Sequence, residues 1–169
     1  MSETFINALQ GDPRLPYLAR RRSDGSNALV DIKGMPNGLD SNTLEGATGE
    51  PSTTAFAEPN TAFIAQNEAP MFFQTYAEVE FMLAEANVRW GLAGDAETHY
   101  NNGVTAAMKM LSLYGTGADI PDGDITDFLT NNPYDAGNAL EQINTQYWIA
   151  TFLNEYETFA NWRRTGFPV

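Results

Sequence analysis

A helical hairpin between Thr75 and Tyr114 constrains the fold of this chain more than any other stretch. Apolar residues recur there at alternating steps of three and four, which is the spacing of one face of an α-helix. The first run comprises Tyr76, Val79, Leu83, Ala86 and Trp90, and the second comprises Tyr100, Val104, Ala107, Leu111 and Tyr114. We therefore expect two helices that bury these stripes against each other and leave their outer faces for neighbouring helices.

Helix end signals flank both runs. Thr75 and Glu78 have the S/T-x-x-E spacing of a capping box, which satisfies free backbone donors at a helix start. Gly91 and Gly94 suit the left-handed conformation of the turn between the helices, and Asp95 is a suitable cap for the second helix. The hairpin is thus predicted from its ends as well as from its periodicity.

We divide the remaining sequence into a loop-rich irregular segment, residues 1–70, and a helical C-terminal core, residues 71–169. Gly, Pro, Asn, Asp, Ser and Thr dominate the first segment from Gly11 onward, and no sustained periodicity is present. A helix end at Glu3–Gln10 and one short strand around Leu29, Val30 and Ile32 are the expected regular elements. About sixty irregular residues inside a compact domain usually indicate a functional loop region or a segment whose packing partner lies outside the given sequence.

The C-terminal third of the sequence predicts helices that are largely buried. Asp124 is expected to cap a short helix, and Asp135 a long one from Ala136 to about Thr165, roughly 45 Å in length. Apolar residues cover more than one face of this long helix, so it needs several packing partners. Core positions are also expected for the run Met71, Phe72 and Phe73 and for Trp90 and Trp162. The predicted fold class is mainly α: a tetratricopeptide-like helical hairpin, a long C-terminal helix and a large irregular loop segment.

Composition excludes several classes of function. With 22 acidic residues, nine basic residues and a formal charge of −13, the chain is a poor partner for nucleic acid or anionic lipid. It contains no cysteine, which removes disulfides, thiol nucleophiles and thiolate metal sites. The sequence contains no Gly-rich phosphate loop, serine elbow or metal-binding histidine pair, and we expect no cofactor.

Catalytic and metal sites are therefore not predicted. Glu78 and Glu85 lie seven residues apart on one helical face, as paired glycosidase carboxylates do, but Glu78 has a capping role and helical carboxylates are usually solvated. His99 is the single histidine and is weak evidence for a base. The acidic cluster lacks the spacing of a calcium loop and is better explained as a surface turn; it comprises Asp119, Asp122, Asp124 and Asp127.

Ligand-binding residues are expected in the irregular segment. Sugar recognition needs flat aromatic faces for the C–H surfaces of the ring and polar groups for its hydroxyls. Tyr17, Phe56 and Phe63 supply the first, and Asn37 and Asp40 the second. These five residues are the predicted ligand contacts. Arg163 and Arg164 are expected to pair with carboxylates or helix carbonyls in a structural role.

Three longer segments of the sequence resemble a known protein family. The segment PMFFQTYAEVEFMLAEANVRWGLAG, the following DAETHYNNGVTAAM and the final QINTQYWIATFLNEYETFANWRRTGFPV resemble the C-terminal part of the SusD/RagB family. Asp12-Pro13-Arg14 also fits the entry into the large loop region of that family. The resemblance is strong over residues 70–169 and covers most of the chain.

This resemblance implies a nutrient-binding outer-membrane lipoprotein that is not an enzyme. Family members capture oligosaccharides or other nutrients for a SusC-like TonB-dependent transporter, and they contact the membrane only through a lipid anchor on an N-terminal part that this chain lacks. The implied location is the cell surface. The alternative is a tetratricopeptide-type scaffold that binds a protein partner and no sugar, because the helical junction also fits that repeat.

Overall fold

The computed structural model describes residues 1–91 and 94–169 and confirms the mainly α fold class. The described chain forms two compact units. The first unit contains residues 1–69 and 111–118, and the second contains residues 70–110 and 119–169. Leu92 and Ala93, in the predicted hairpin turn, lie outside the described residues. Among the residues described, no helix has both the length and the apolar character needed to cross a membrane.

The first unit consists of short elements joined by loops. They are α1 (Glu3–Ala8), α2 (Leu15–Leu18), β1 (Ala19–Arg21), a 3-10 helix at Leu29–Asp31, α3 (Leu44–Thr48), a second 3-10 helix at Thr53–Ala55, and β2 (Ala57–Pro59). The prediction of a strand around Leu29, Val30 and Ile32 is wrong. The Asp31 amide donates to the Ala28 carbonyl at 2.8 Å, and this local turn replaces pairing with a second strand.

The core of the first unit forms around α1 and the two strands. The apolar side of α1 is buried, as the sequence predicts, through Phe5, Ile6 and Leu9. β1 and β2 pair antiparallel, with Arg20 opposite Glu58. The Arg20 guanidinium lies 2.8 Å from the Glu58 carboxylate, so a cross-strand ion pair reinforces the backbone pairing.

A buried ion pair shapes the chain before β1. The Asp12 carboxylate accepts hydrogen bonds from the Arg14 backbone at 2.8 Å and from the Arg14 guanidinium at 2.5 Å, and both side chains are almost fully buried. A buried carboxylate is stable only when such donors surround it. The Asp-Pro-Arg sequence is thus a structural turn.

The second unit is a helical assembly. Its helices are α4 (Tyr76–Trp90), α5 (Ala96–Lys109), α6 (Asp122–Asn131), α7 (Ala139–Ala150) and α8 (Glu155–Thr165). A 3-10 helix at Met110–Tyr114 follows α5, and all of it except Met110 belongs to the first unit. The predicted capping box is present, because Thr75 and Glu78 exchange both hydrogen bonds. Asp95 caps α5 by accepting from the Thr98 amide, and Gly91 and Gly94 have the expected positive φ angles.

The predicted burial of the α4 stripe is wrong. Tyr76 and Trp90 are each 64% exposed and Leu83 is 36% exposed, so the stripe faces outward. The buried face of α4 contains Ala77, Phe81 and Ala84 together with Glu78, Glu80 and Glu85. Small alanines permit close packing. Glu78 bonds the N-cap residue Thr75, and Glu80 and Glu85 have partners on α5 and α8, so this face is buried although half of its residues are charged.

The predicted stripe of the second helix is buried except at its last residue, because Tyr114 is only half-buried. Leu111 and Tyr114 lie in the 3-10 helix that follows α5. Tyr100, Val104, Ala107 and Leu111 are all buried. α4 and α5 pack closely because Gly103 leaves room for the Phe81 ring: a β-carbon at this position would lie only 2.6 Å from the ring. Phe81 also contacts Tyr100, with ring centroids 6.3 Å apart. The predicted hairpin is therefore present, but its two helices contribute faces of different chemical character.

The predicted long C-terminal helix is divided in two. α7 ends at Ala150 and α8 begins at Glu155, and Leu153 between them has a left-handed φ of 74°. The Thr151 hydroxyl bonds the Tyr147 carbonyl at 2.9 Å and lies 2.9 Å from the Thr158 hydroxyl, which stabilises the break. α7 packs against α4, so a C-terminal helix does dock on the hairpin, as expected.

Several end and core predictions are also wrong. Pro121 and Asn138 precede α6 and α7 as cap residues. Asp124 lies within the first turn of α6, and the Asp135 carboxylate instead accepts from the Gly137 amide at 2.9 Å. Four aromatic or apolar side chains expected in the core are instead exposed at the surface; they are Met71, Phe73, Trp90 and Trp162.

Gly103→Ala tests the close packing of α4 and α5. We expect it to lower the free energy of unfolding by about 1–3 kcal/mol, because the added methyl group must displace the Phe81 ring. Gly123→Ala in α6 is the matched control, since a β-carbon there meets nothing within 4 Å and should change stability by at most about 1 kcal/mol, in the stabilising direction. Urea denaturation of both variants measures the difference, and equal stabilities would contradict the packing argument.

Candidate functional site

An open cleft of about 450 Å³ lies in the first unit. Most of its lining residues are charged or carry hydroxyl groups, and they come from the loop after β1 and the loop before β2. They are Arg21, Ser23, Val30, Asp31, Lys33, Glu50, Pro51, Ser52, Thr54 and Ala55. A cleft of this size is in the range of small-molecule binding sites, and its walls offer donors and acceptors for a hydroxyl-rich ligand.

The strand pair positions the two walls of the cleft. Arg21 ends β1 and pairs with Ala57 at the start of β2, so the loops that leave these positions begin side by side. The Ala57 amide donates to the Lys33 carbonyl at 2.7 Å, which holds the far end of the first loop against β2. The Lys33 ammonium then lies 2.8 Å from the Glu50 carboxylate. Backbone pairing therefore fixes the base, and an ion pair joins the walls.

The charges that line the cleft balance one another. Arg21 pairs with Asp31 at 2.8 Å and with Asp24 at 2.6 Å, and Lys33 pairs with Glu50. The hydrogen bond from Arg21, aided by the Ser26 amide, lowers the pKa of Asp24 to about 2. Asp24 lies beside the cleft, and the lining itself pairs two cationic side chains, Arg21 and Lys33, with two carboxylates, Asp31 and Glu50, so neither sign dominates.

The structure brings two of the five predicted ligand contacts together. Tyr17 and Phe63 are half-buried, and their ring centroids lie 5.5 Å apart at an angle of 59°. Two amides that surround them in the sequence, Asn27 and Asn60, both donate to the Pro16 carbonyl, at 3.1 and 2.9 Å. This aromatic pair thus sits on a turn that is held by side-chain hydrogen bonds.

The other three predicted contacts have different environments. Phe56 is only 1% exposed, and the Lys33 ammonium lies 5.2 Å from its ring centroid. The Phe56 ring therefore packs under the ammonium of Lys33, which lines the cleft. Asn37 and Asp40 are exposed, and Asp40 accepts hydrogen bonds from Asn42 and Thr43 in a tight turn before α3. Hydrogen bonds from Thr43, and then from Asn42, hold the pKa of Asp40 below its usual range.

Sequence reasoning missed the charged residues of the cleft. Arg21, Lys33 and Glu50 carry no local motif, and Lys33 and Glu50 are 17 positions apart. The available signal was the occurrence of several basic residues within an otherwise acidic chain, at 20–22 and 33. Such a local excess of cations over background indicates ion pairing, but it does not identify the partner.

A polar network, in which Glu85, Asn144 and Asn161 are buried and Arg164 is half-exposed, ties together three helices of the second unit. The Arg164 guanidinium on α8 donates to both carboxylate oxygens of Glu85 on α4, at 2.5 and 2.7 Å. It also donates to Asn161 at 2.7 Å, and Asn161 donates to the Asn144 amide oxygen on α7 at 2.9 Å. Arg89 adds a third bond to Glu85 at 2.6 Å. The predicted structural role of Arg164 is confirmed by these contacts.

Hydrogen bonds lower the pKa of two buried carboxyls in this unit, Glu85 and Glu80. Burial is the largest single influence on Glu85 and would raise its pKa, but the hydrogen bonds from Arg164 and Arg89 together outweigh burial and lower the pKa. Glu80 behaves in the same way, because the Tyr76 hydroxyl and His99 both contact its carboxylate. The His99 Nδ1 atom lies 2.7 Å from the Glu80 Oε2 atom and joins α5 to α4.

The expectation that Glu78 and Glu85 are solvated is wrong, since both are buried. Glu78 accepts from the Thr75 amide and hydroxyl, each at 2.9 Å, and Glu85 accepts from two arginines. A glycosidase needs one carboxyl that carries a proton and another that faces the sugar ring. Because their oxygens hold a helix start and a second helix, these two carboxylates serve the architecture of the unit.

Metal binding has no geometric support within residues 1–91 and 94–169. No group of three or more His, Asp or Glu side chains there is arranged to hold a metal ion. In the acidic cluster, Asp122 pairs with Lys109 at 3.0 Å. The cluster lies on the surface, but its interpretation as a turn is wrong, because Asp122, Asp124 and Asp127 belong to α6.

The helical unit and the loop-borne cleft together define the chain as part of a mainly α, SusD-type protein. A family model described as starch-binding and associating with the outer membrane matches residues 1–169. The chain therefore belongs to this SusD-like family. No curated protein matches it.

Solved structures show the same fold. A chitin-binding protein is similar with a TM-score of 0.83 and 30% identity, over 99% of this chain and 38% of that one. A SusD homologue from Bacteroides fragilis has a TM-score of 0.80 and 25% identity, over 100% of this chain and 40% of that one. A Bacteroidetes SusD-like protein at 24% identity shares the fold, with a TM-score of 0.75. The chain spans about two fifths of the length of the structures it matches.

Arg164→Gln tests the polar network of the second unit. Loss of the Arg164 guanidinium leaves the buried Glu85 with Arg89 as its remaining cationic partner. We therefore expect the free energy of unfolding to fall by about 1–3 kcal/mol. Arg163→Gln is the matched control. Arg163 is exposed and contacts the Phe159 ring at 5.8 Å, and its loss should cost less than about 1 kcal/mol. Chemical denaturation compares the free energies of unfolding of the two variants, and similar losses of stability would contradict a specific stabilising role for the Arg164 network.

The pH dependence of stability tests the protonation of Glu85. Because folding lowers the pKa of Glu85 from its usual value near 4.5, its contribution is complete above that pH and is lost as pH falls through the lower folded-state pKa. Glu85→Gln removes this titration. Urea denaturation at about pH 6 and about pH 3 should show a smaller acid-induced loss of stability in the variant than in the parent chain; an unchanged loss would assign the acid sensitivity to other carboxyls.

Proposed function

We propose that this chain is the part of a SusD-like protein that contributes to oligosaccharide capture, and that the cleft of the first unit contacts the sugar. The observation that carries the proposal is the cleft itself, with its ring of paired charges and hydroxyl groups. Carboxylates accept hydrogen bonds from sugar hydroxyls, while guanidinium and ammonium groups donate to sugar oxygens. The structural similarity to a chitin-binding protein supports a glycan as the ligand.

Binding at this cleft requires little reorganisation. Asp31 is held by Arg21 and by the Ser26 hydroxyl, at 2.8 and 2.6 Å, and Glu50 is held by Lys33. Side chains that are already oriented lose less entropy when a ligand arrives. Tyr17, Phe63, Asn37 and Asp40 are not among the residues that line the cleft, and they remain proposed as additional aromatic and polar contacts of the sugar.

The charge balance of the cleft favours a neutral sugar. Its two cations are matched by two carboxylates, and the whole chain carries a charge of −13. A uronic acid or sulfate group would have to displace a carboxylate from its arginine or lysine, and it would approach against a negative field. Neutral hydroxyls can share the existing donors and acceptors.

The wider assignment follows from family membership. We propose that the protein is a surface-exposed lipoprotein of the outer membrane, anchored by a lipid on sequence outside this chain, and that it delivers its ligand to a SusC-like TonB-dependent transporter. It binds and releases sugar without chemical change. The family description, starch-binding and associating with the outer membrane, supports this assignment.

Ligand binding by cleft variants tests the site. Once a binding oligosaccharide has been identified on a glycan array, Glu50→Ala and Asp31→Ala should each raise its dissociation constant about five- to twentyfold, because one or two hydrogen bonds are lost. Asp122→Ala is the matched control, because Asp122 also pairs with a lysine on the surface but lies on α6. Isothermal titration calorimetry measures all three, and equal affinities would exclude the cleft as the site.

Competition between neutral and anionic sugars tests the ligand class. We expect neutral oligosaccharides to bind and polygalacturonate or sulfated glycans of equal length to bind at least tenfold more weakly, because the cleft has no unbalanced positive charge. The preference should diminish in Glu50→Gln, which leaves Lys33 without its carboxylate. Tighter binding of the anionic sugars by the parent chain would contradict the proposal.

A further inference from the structure

The dipeptide Asn-Gly occurs twice in the chain, at Asn37-Gly38 and at Asn102-Gly103. Asparagine is a chemically labile residue, because the backbone nitrogen of the next residue can attack its side-chain amide. A following glycine hinders this attack least, since it has no β-carbon. Both asparagines are exposed, so the two sites share the same reactive groups and the same access to water. Their backbones, however, have different surroundings.

The first of these sites lies in a short segment, residues 36–39, between two anchored points. Before it, the Met35 amide donates to the Met1 carbonyl at 2.9 Å. After it, the Asp40 amide donates to the Thr43 hydroxyl at 2.9 Å. Between these points, no backbone amide and no side-chain amide has a hydrogen-bond partner among the residues that the structure describes. The nitrogen and the amide that would react are therefore not engaged in other bonds.

The space beside Gly38 is also open. Gly38 is exposed, and a β-carbon at this position would meet nothing within 4 Å. Its φ angle of 80° places it in a turn, outside any helix or strand. Rotation of the Asn37 side chain toward the Gly38 nitrogen consequently breaks no ladder of hydrogen bonds and meets no packed neighbour.

The second site has the opposite backbone environment. Gly103 lies in the middle of α5, where backbone amides donate to carbonyls of the preceding turn. It is also buried, and a β-carbon there would lie 2.6 Å from the Phe81 ring. The helical ψ angle of Asn102 holds the Gly103 nitrogen away from the side-chain amide. The reaction at Asn102 therefore requires local opening of the helix.

We infer that Asn37 is a site of spontaneous deamidation. The Gly38 nitrogen forms a bond to the Asn37 Cγ atom, and the Cγ–Nδ2 bond breaks. The proton of the Gly38 amide passes through water to the departing nitrogen, which leaves as ammonia. The product is a cyclic succinimide, and no oxidant or reductant is consumed.

Water then opens the succinimide ring. Hydrolysis at Cγ gives aspartate, whereas hydrolysis at the backbone carbonyl carbon of residue 37 gives isoaspartate, in which the main chain runs through the side chain. Either product adds a carboxylate to the segment that joins Met35 to Asp40. The reaction needs no bound sugar, so it is independent of the function proposed above.

Peptide mapping of the full-length polypeptide tests this inference. The polypeptide is aged at mildly alkaline pH, where more of the attacking amide is deprotonated, and is then digested at acidic pH. Mass spectrometry measures aspartate and isoaspartate at positions 37 and 102. Asn37→Gln is the control variant, because the longer side chain of glutamine closes the corresponding ring far less readily. A second sample of the parent polypeptide is aged while unfolded in guanidinium chloride.

In the native polypeptide we expect position 37 to deamidate at least about tenfold faster than position 102, because α5 must open before Gly103 can react. In the unfolded polypeptide the two sites should react at similar rates, and Asn37→Gln should abolish the product at position 37. Equal rates in the native polypeptide, or no product at position 37, would overturn the inference. A tenfold difference that persists after unfolding would also overturn it, because the flanking sequence would then be the cause.

Discussion

The contact between Glu85 and Arg164 is the interaction on which the helical unit depends. It joins residues 79 positions apart and brings α8 to α4, while Asn161 extends the same bonds to Asn144 on α7. Burying a carboxylate without donors would cost several kcal/mol, so α8 must adopt the register that presents Arg164. The polar side of α8 consequently faces the unit, and its aromatic residues Tyr156, Phe159 and Trp162 face outward. One ion pair thus determines which side of a whole helix is exposed.

Local signals in the sequence predicted the helices well, and long-range partners decided where prediction failed. The capping box at Thr75, the cap at Asp95 and the buried stripe on α5 all depend on residues within one or two helical turns. The buried side of α4 depends on Arg164 and His99, which no local pattern connects to Glu85 and Glu80. The sequence therefore predicted that the glutamate-containing face of α4 is exposed and that its apolar face is buried, and the structure shows the opposite.

Neither the break that separates α7 from α8 nor the cleft of the first unit could be predicted from the sequence, and the reasons are related. Neither glycine nor proline separates the two helices; Leu153 adopts a left-handed conformation because threonine hydroxyls and tertiary contacts hold the flanking turns. In the first unit, sequence composition located a polar and aromatic region, and the structure does place Tyr17 beside Phe63. The cleft, however, is defined by ion pairs between two loops, and a pairing such as Lys33 with Glu50 is set only when the strands align.

The position of the cleft on two loops has an evolutionary consequence. Its base is held by backbone hydrogen bonds between β1 and β2, which depend little on side-chain identity, and most of the residues along its rim are exposed. Substitutions at the rim therefore seldom disturb the apolar core that contains Phe5, Leu15 and Ile64. Selection can therefore vary the chemistry of this surface while the scaffold stays unchanged.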